Sequence, residues 1–133
     1  MEQLEKLRLD NGLRVLLLPV EGALSASVGV WIEAGSRYEA AAKQGISHFV
    51  EHMTFKGTAA RTARQISEEM DLLGGGMNAY TTKEYTRFYA QTLAEYARPA
   101  MELLTDMLLH SRMAAEDVEL ERGVILEEMA MYE

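Results

Sequence analysis

Apolar residues recur through the first quarter of the chain in short segments that predict strands. Residues 4–9 and 13–20 are predicted to form a hairpin, because Asn11-Gly12 supplies the positive φ angles that a tight turn needs. Residues 25–33 are predicted to form a third strand, since every second side chain there is apolar. This part of the chain therefore predicts β-structure.

A second strand-forming region follows three consecutive glycines, Gly74 to Gly76. Residues 77–82 and 86–93 are rich in Thr and Tyr, which favour strands, and Lys83-Glu84-Tyr85 between them is predicted to turn a hairpin. The glycines themselves suit either an ordinary loop or unusual backbone angles.

Apolar residues spaced three and four apart predict four helices. The first is expected to end at Gly57, a residue suited to a left-handed C-cap. The second begins at Thr62 with the spacing of a capping box, the third starts near Pro99, and the fourth covers residues 115–133. The predicted buried positions of the four helices are Ile46, Phe49, Val50 and Met53; Ile66, Met70 and Leu73; Leu103, Leu104, Met107 and Leu108; and Val118, Ile125, Met129 and Tyr132.

These elements predict an α+β fold, in which an antiparallel or mixed β-sheet is covered on one face by helices. The 133 residues suit one domain, and a chain of this size buries roughly two-thirds of its unfolded surface. Because the last predicted helix has no Gly, Pro or cationic cap before Glu133, we expect the chain to be part of a longer one.

The charge of the chain limits the kinds of partner that we expect it to bind. The formal net charge is −8 and no basic run is present, so nucleic acid and anionic membranes are not expected as partners. The chain has no Cys, so a metal ion would depend on His, Asp and Glu. The N-terminus lacks the features of a secretion signal and no apolar run could span a membrane, which predicts a soluble, cytoplasmic protein.

The chemistry of the chain centres on His48-Phe49-Val50-Glu51-His52, in the first predicted helix. Residues three and four apart share a helix face, so His48, Glu51 and His52 point the same way. Two imidazoles one turn apart can bind a divalent metal ion, and a carboxylate beside them can take a proton from an activated water molecule. The pattern is the inverted zincin motif, His-x-x-Glu-His.

A catalytic zinc site needs a third protein ligand, and the last helix offers Glu121, Glu127 and Glu128. Glu121 and Glu128 are two turns apart and nearly eclipsed on one face. These residues alone leave the choice open, because surface glutamates are common. His110, at the end of the third helix, is expected to cap carbonyls or to face water.

The sequence resembles the inverted-zincin metallopeptidases of the pitrilysin, insulin-degrading enzyme and mitochondrial processing peptidase group, known as M16. Residues 45–58, around the His48 motif, resemble the zinc helix of that family, and residues 120–129 resemble its second zinc segment. Residues 78–81 and Glu84 resemble its substrate-binding edge strand. The implied fold is the metallopeptidase half-domain that this family shares with LuxS.

The resemblance implies a role for each matching residue. His48, His52 and Glu128 would hold Zn²⁺, and Glu51 would be the general base. Glu121 would be a carboxylate that steadies the site from behind the ligands. Asn78 and Ala79 would present backbone groups to an extended peptide substrate, which would add as a strand to the sheet edge. The implied activity is zinc-dependent hydrolysis of peptides or small unfolded proteins.

Family subunits contain two related domains, and this chain resembles only the first part of the first. The Arg and Tyr that bind substrate in the family lie in a part of the family subunit that has no counterpart in this chain. We therefore expect weak or no activity from the chain alone. The remaining domain or a partner subunit, in a homodimer or heterodimer, would complete the site. A noncatalytic peptide-binding or scaffold subunit and a regulatory or storage metal site are the alternatives.

Overall fold

The computed structural model describes residues 3–132, so Met1, Glu2 and the predicted helical residue Glu133 lie outside the described part of the chain. Five strands are described, namely β1 (Glu5–Arg8), β2 (Arg14–Leu17), β3 (Ser25–Ile32), β4 (Gly76–Thr81) and β5 (Thr86–Leu93). Four α-helices are described, namely α1 (Ile46–Thr54), α2 (Ala63–Leu72), α3 (Ala97–Leu109) and α4 (Ala115–Met131).

Three strands form an antiparallel sheet in the order β3-β5-β4. Alternate residues of the central strand β5 point to the helices, so Phe88 and Ala90 are buried while their neighbours are more exposed. The buried apolar core lies between this face of the sheet and the helices, and consists of Ile66, Met70, Phe88, Ala90, Ala100, Leu103, Leu104 and Met107. The predicted α+β fold with helices on one face is confirmed, and all its strand pairs are antiparallel in the part described.

The first hairpin stands apart from this sheet. Strands β1 and β2 pair with each other, and Gly12 in the loop has a φ of 89°, as the predicted turn requires. The strands are shorter than predicted, and nearly all their side chains are exposed, including Leu16 at 65%. Consecutive apolar residues are typical of a strand covered on both faces, but the described helices cover neither face of this hairpin.

Helix α1 differs from its prediction at its end and on its apolar face. It ends at Thr54, three residues before Gly57, whose φ of 120° instead serves a bridge to Thr62. Met53 is buried, but Ile46 is 47% and Val50 42% exposed. Only part of the predicted apolar stripe is therefore covered by the described chain.

The structure confirms the predicted cap of α2 but only part of the predicted buried face of α4. The capping box of α2 is confirmed, because the side chains of Thr62 and Gln65 each accept a bond from the other residue's backbone N–H. The predicted apolar face of α4 is wrong in its second half, since Met129 and Tyr132 are exposed. The strongly buried positions of α4 are Glu121 and Ile125, so this helix turns a carboxylate towards the protein interior.

A polar network ties α3 to the segment after α1. The Asp106 carboxylate accepts bonds from the Thr58 hydroxyl at 2.7 Å and from the Arg61 guanidinium at 2.7 Å, and lies 3.0 Å from Nδ1 of His110. Burial by itself raises the pKa of Asp106, but the bonds from Thr58, Arg61 and His110 outweigh it and hold the pKa below its ordinary value.

Replacing Asp106 by Asn should therefore destabilise the fold most near neutral pH. A carboxyl whose pKa is lowered by folding stabilises the protein above its unfolded pKa, and this contribution is lost as the pH falls through the folded pKa. We expect Asp106→Asn to lower the free energy of unfolding by about 2 kcal/mol at pH 7. Urea unfolding of the variant and of the unchanged protein, in EDTA at pH 7 and pH 3, measures this difference in the free energy of unfolding. A difference as large at pH 3 as at pH 7 would contradict the prediction.

Candidate functional site

Helix α1 carries two of the predicted ligands, His48 and His52, one turn apart on the side that contacts α4. Both side chains are partly buried, and their Nε2 atoms lie 3.0 Å apart. The rings meet edge to face, with an interplanar angle of 90°. Because α1 also packs against the edge strand β4, the two imidazoles are held at the junction of α1, α4 and the sheet.

Helix α4 places Glu128 beside both imidazoles. Its Oε2 atom is 3.6 Å from Nε2 of His48 and 3.6 Å from Nε2 of His52. Tetrahedral zinc with bonds of about 2.0–2.2 Å separates its ligand atoms by about 3.3–3.5 Å. The sides of the triangle formed by the three ligand atoms, 3.0, 3.6 and 3.6 Å, come within about 0.3 Å of these separations. The group is therefore positioned to hold a zinc ion, with a fourth position left open.

The structure distinguishes the two adjacent carboxylates of α4. Glu128 belongs to the group with the two histidines, whereas Glu127 points to solvent. His110 lies outside this group, since its ring pairs with Asp106 and is largely exposed, and its backbone N–H caps a carbonyl of α3. Of the candidates left open by the sequence, Glu128 is the one whose carboxylate approaches both histidines at Nε2.

Glu121 lies behind His52, on the side away from the other imidazole. Its Oε2 atom is 2.9 Å from Nδ1 of His52, and its other oxygen pairs with Lys56. Glu121 is only 3% exposed. Burial raises the pKa of this carboxyl, but Lys56 and His52 outweigh burial and keep the pKa below its ordinary value. A carboxylate in this position sets the tautomer and ring orientation of a metal-binding histidine.

Glu51 points from α1 to the sheet. Its Oε2 atom accepts a hydrogen bond of 2.5 Å from the hydroxyl of Thr81, at the end of β4. Glu51 and His52 also line the same cavity of about 280 Å³. The remaining residues around that cavity are Phe55, Lys56, Asn78 and Glu121. The predicted base, ligand, supporting carboxylate and edge strand thus meet around one space.

Strand β4 is the edge of the sheet next to this cavity, and the hydrogen-bond pattern fixes which backbone groups it exposes. Thr82 N–H donates to Tyr85 at the turn, so in an antiparallel ladder Asn78 and Tyr80 pair with β5, while Ala79 and Thr81 face outward. In this register the outward backbone groups at this point of β4 are those of Ala79, whereas the backbone groups of Asn78 point to β5. Instead, Oδ1 of Asn78 accepts the outward N–H of Ala79 at 2.8 Å.

Two residues in contact with the site were missed by the sequence reasoning. Lys56 is four residues after His52, so helical spacing could have placed it on the same side as the histidine. Thr81 makes its contact with Glu51 across 30 residues of chain, and no local signal predicts that. A partner of this kind becomes visible only when the sheet and α1 are packed together.

Comparison with known protein families gives the class of protein to which this arrangement belongs. The family described as Insulinase (Peptidase family M16) matches residues 14–133. The chain belongs to this family. The resemblance inferred from the two zinc segments is thereby confirmed.

Several relatives in sequence are named zinc proteases or processing peptidases. The chain is 46% identical over 124 residues to an uncharacterized zinc protease of Bacillus subtilis (strain 168), covering 93% of this chain and 30% of that protein. It is 48% identical over 123 residues to an uncharacterized zinc protease of Mycobacterium leprae (strain TN), covering 92% and 28%. A probable mitochondrial-processing peptidase subunit beta of Arabidopsis thaliana is 46% identical, covering 94% and 24%.

Solved structures show the same fold. A protease from Helicobacter pylori has a TM-score of 0.90 at 30% identity, covering 96% of this chain and 31% of that one. Pitrilysin has a TM-score of 0.87 at 29% identity, covering 98% and 14%. The chain therefore spans less than a third of the length of these relatives. Among residues 3–132, none of the helices is both long and apolar enough to span a bilayer.

Proposed function

We propose that this chain is the zinc-binding part of an M16 endopeptidase that hydrolyses peptides or small unfolded proteins. The observation that carries the proposal is the triangle of His48, His52 and Glu128, with ligand atoms 3.0 to 3.6 Å apart. The match of residues 14–133 to a zinc peptidase family supports it.

Each residue of the site has a role in this proposal. His48, His52 and Glu128 hold zinc, and Glu121 orients His52 through Nδ1. Zinc bound there would lower the pKa of a water molecule to about 7 and polarise the scissile carbonyl. Glu51 accepts the proton of the attacking water and passes it to the leaving amine, so no covalent intermediate is needed.

The substrate in this proposal adds as a strand to the free edge of β4. The N–H of Ala79 then donates to a substrate carbonyl instead of to the side-chain oxygen of Asn78, its acceptor in this structure. The side-chain amide of Asn78 moves away from this N–H and binds the substrate. Backbone pairing of this kind reads the extended shape of a peptide more than its side chains.

Ala79→Pro tests this edge, because Pro removes one N–H that the ladder with β5 does not use. We expect KM for a peptide substrate to rise by about tenfold, the value of one lost hydrogen bond of about 1.4 kcal/mol, with one zinc ion per chain retained. Steady-state kinetics with zinc analysis measures both. An unchanged KM would rule out this edge as the substrate strand.

The chain spans less than a third of the length of its relatives. We therefore propose that further polypeptide, or a partner subunit in a homodimer or heterodimer, completes the space that encloses the substrate. The chain alone should bind zinc, since residues 48–128 contain all three ligands. Peptide hydrolysis should appear only in the longer polypeptide. Zinc content and hydrolysis of both proteins test this, and a chain that binds no zinc at all would overturn the proposal.

A further inference from the structure

Thr81 holds the carboxylate of Glu51 from a separate element of the fold. Thr81 is the last residue of β4, and its side chain points to the face of the sheet against which α1 packs. Its hydroxyl donates to Oε2 of Glu51 at 2.5 Å, a partly buried contact. The distance is at the short end of the range for a hydroxyl that donates to a carboxylate.

Thr86, the opposite residue on β5, is the other hydroxyl near Thr81. Thr86 is buried, and its hydroxyl donates to the carbonyl oxygen of Ala34 at 2.7 Å. A hydroxyl has a single proton to donate, so Thr86 can offer the Thr81 hydroxyl, 3.3 Å away, only an acceptor. Glu51 is the closer acceptor, at 2.5 Å against 3.3 Å for Thr86, so the proton of Thr81 goes to Glu51.

We propose that Thr81 is a positioning residue for the general base. This inference rests on the proposed function of Glu51. The terminal torsion of a glutamate has a broad energy minimum, so an unrestrained carboxylate samples many orientations. Thr81 fixes one oxygen of Glu51 and leaves the other to accept the proton of the attacking water. Thr81 is itself held by the antiparallel pairing of β4 with β5, so the base is oriented from the sheet.

The test uses Thr81→Val, which keeps the shape of the side chain and removes the hydroxyl. In the full-length peptidase, we expect kcat to fall by about 10- to 100-fold, because a misplaced catalytic group costs about this much. KM and the zinc content should stay unchanged. Thr81→Ser restores the hydroxyl and should restore kcat.

Thr92→Val is the matched control. Thr92 is a buried threonine on β5, and its hydroxyl donates to the backbone carbonyl oxygen of Leu73 at 2.7 Å. This variant therefore also loses one hydroxyl hydrogen bond of the sheet, but next to the end of α2 and not next to α1. Its kcat should equal that of the unchanged protein. A general loss of stability would affect both valine variants, whereas the loss of a positioning contact affects only Thr81→Val.

Crystal structures of the metal-free proteins give a readout that does not depend on activity. The Glu51 carboxylate should occupy one orientation in the unchanged protein and in Thr81→Ser, and several in Thr81→Val. If Thr81→Val fails to fold, Thr81→Ala replaces it. An ordered carboxylate or an unchanged kcat in the variant would overturn the inference while Glu51→Gln is inactive. An active Glu51→Gln would instead overturn the proposed function.

Discussion

Glu128→Gln should lower the zinc affinity of the chain by at least about 100-fold. Mutation of a residue that hydrogen-bonds to a metal ligand lowers metal affinity by about 10- to 100-fold, and loss of a ligand itself should lower it at least as much. Glu128 approaches both histidines to 3.6 Å, and an amide in its place is a neutral and weaker ligand. Competition with a zinc chelator, followed by metal analysis, measures the change.

Glu127→Gln is the matched control for this prediction. It removes the same charge at the neighbouring position, but Glu127 is exposed and lies outside the group with the histidines. Its zinc affinity should equal that of the unchanged chain. Equal losses in the two variants would mean that net charge, and not coordination, governs binding.

Glu51→Gln should abolish turnover in the longer polypeptide while leaving its zinc content at one ion per site. A glutamine cannot accept the proton of the attacking water, and general base catalysis contributes about 10²- to 10⁴-fold. The amide keeps the size of the side chain and can still accept the bond from Thr81. Single-turnover hydrolysis of a quenched peptide, with zinc measured on the same sample, tests this.

The separation of the two readouts makes this variant informative. Turnover that persists in Glu51→Gln would remove Glu51 as the base and favour a regulatory or storage role for the metal. Zinc lost together with turnover would show that Glu51 supports the metal site in some other way. Only inactive, zinc-loaded protein agrees with the proposed role.

The sequence predicted most elements because their signals are local. The capping box at Thr62, the turn between β4 and β5 and the Thr and Tyr content of those strands each depend on residues within a few positions of one another. Both histidines and Glu51 share one helix, so their common location also followed from spacing.

The rest depends on tertiary packing that no single segment encodes. The same apolar pattern predicted burial for Ile46 and for Met53, but of these two only Met53 is buried. In α4 the buried stripe includes Glu121, because Lys56 and His52 compensate the cost of removing its charge from water. The direction of the Asn78 backbone required the strand register, which the sequence did not reveal.

The most direct test is a crystal structure of the chain grown with zinc, with the metal located by its anomalous scattering. One ion should lie about 2.0–2.2 Å from Nε2 of His48, Nε2 of His52 and a carboxylate oxygen of Glu128, with a fourth position facing the cavity beside Glu51. Zinc bound at other residues, with Glu128 turned to solvent, would contradict the account.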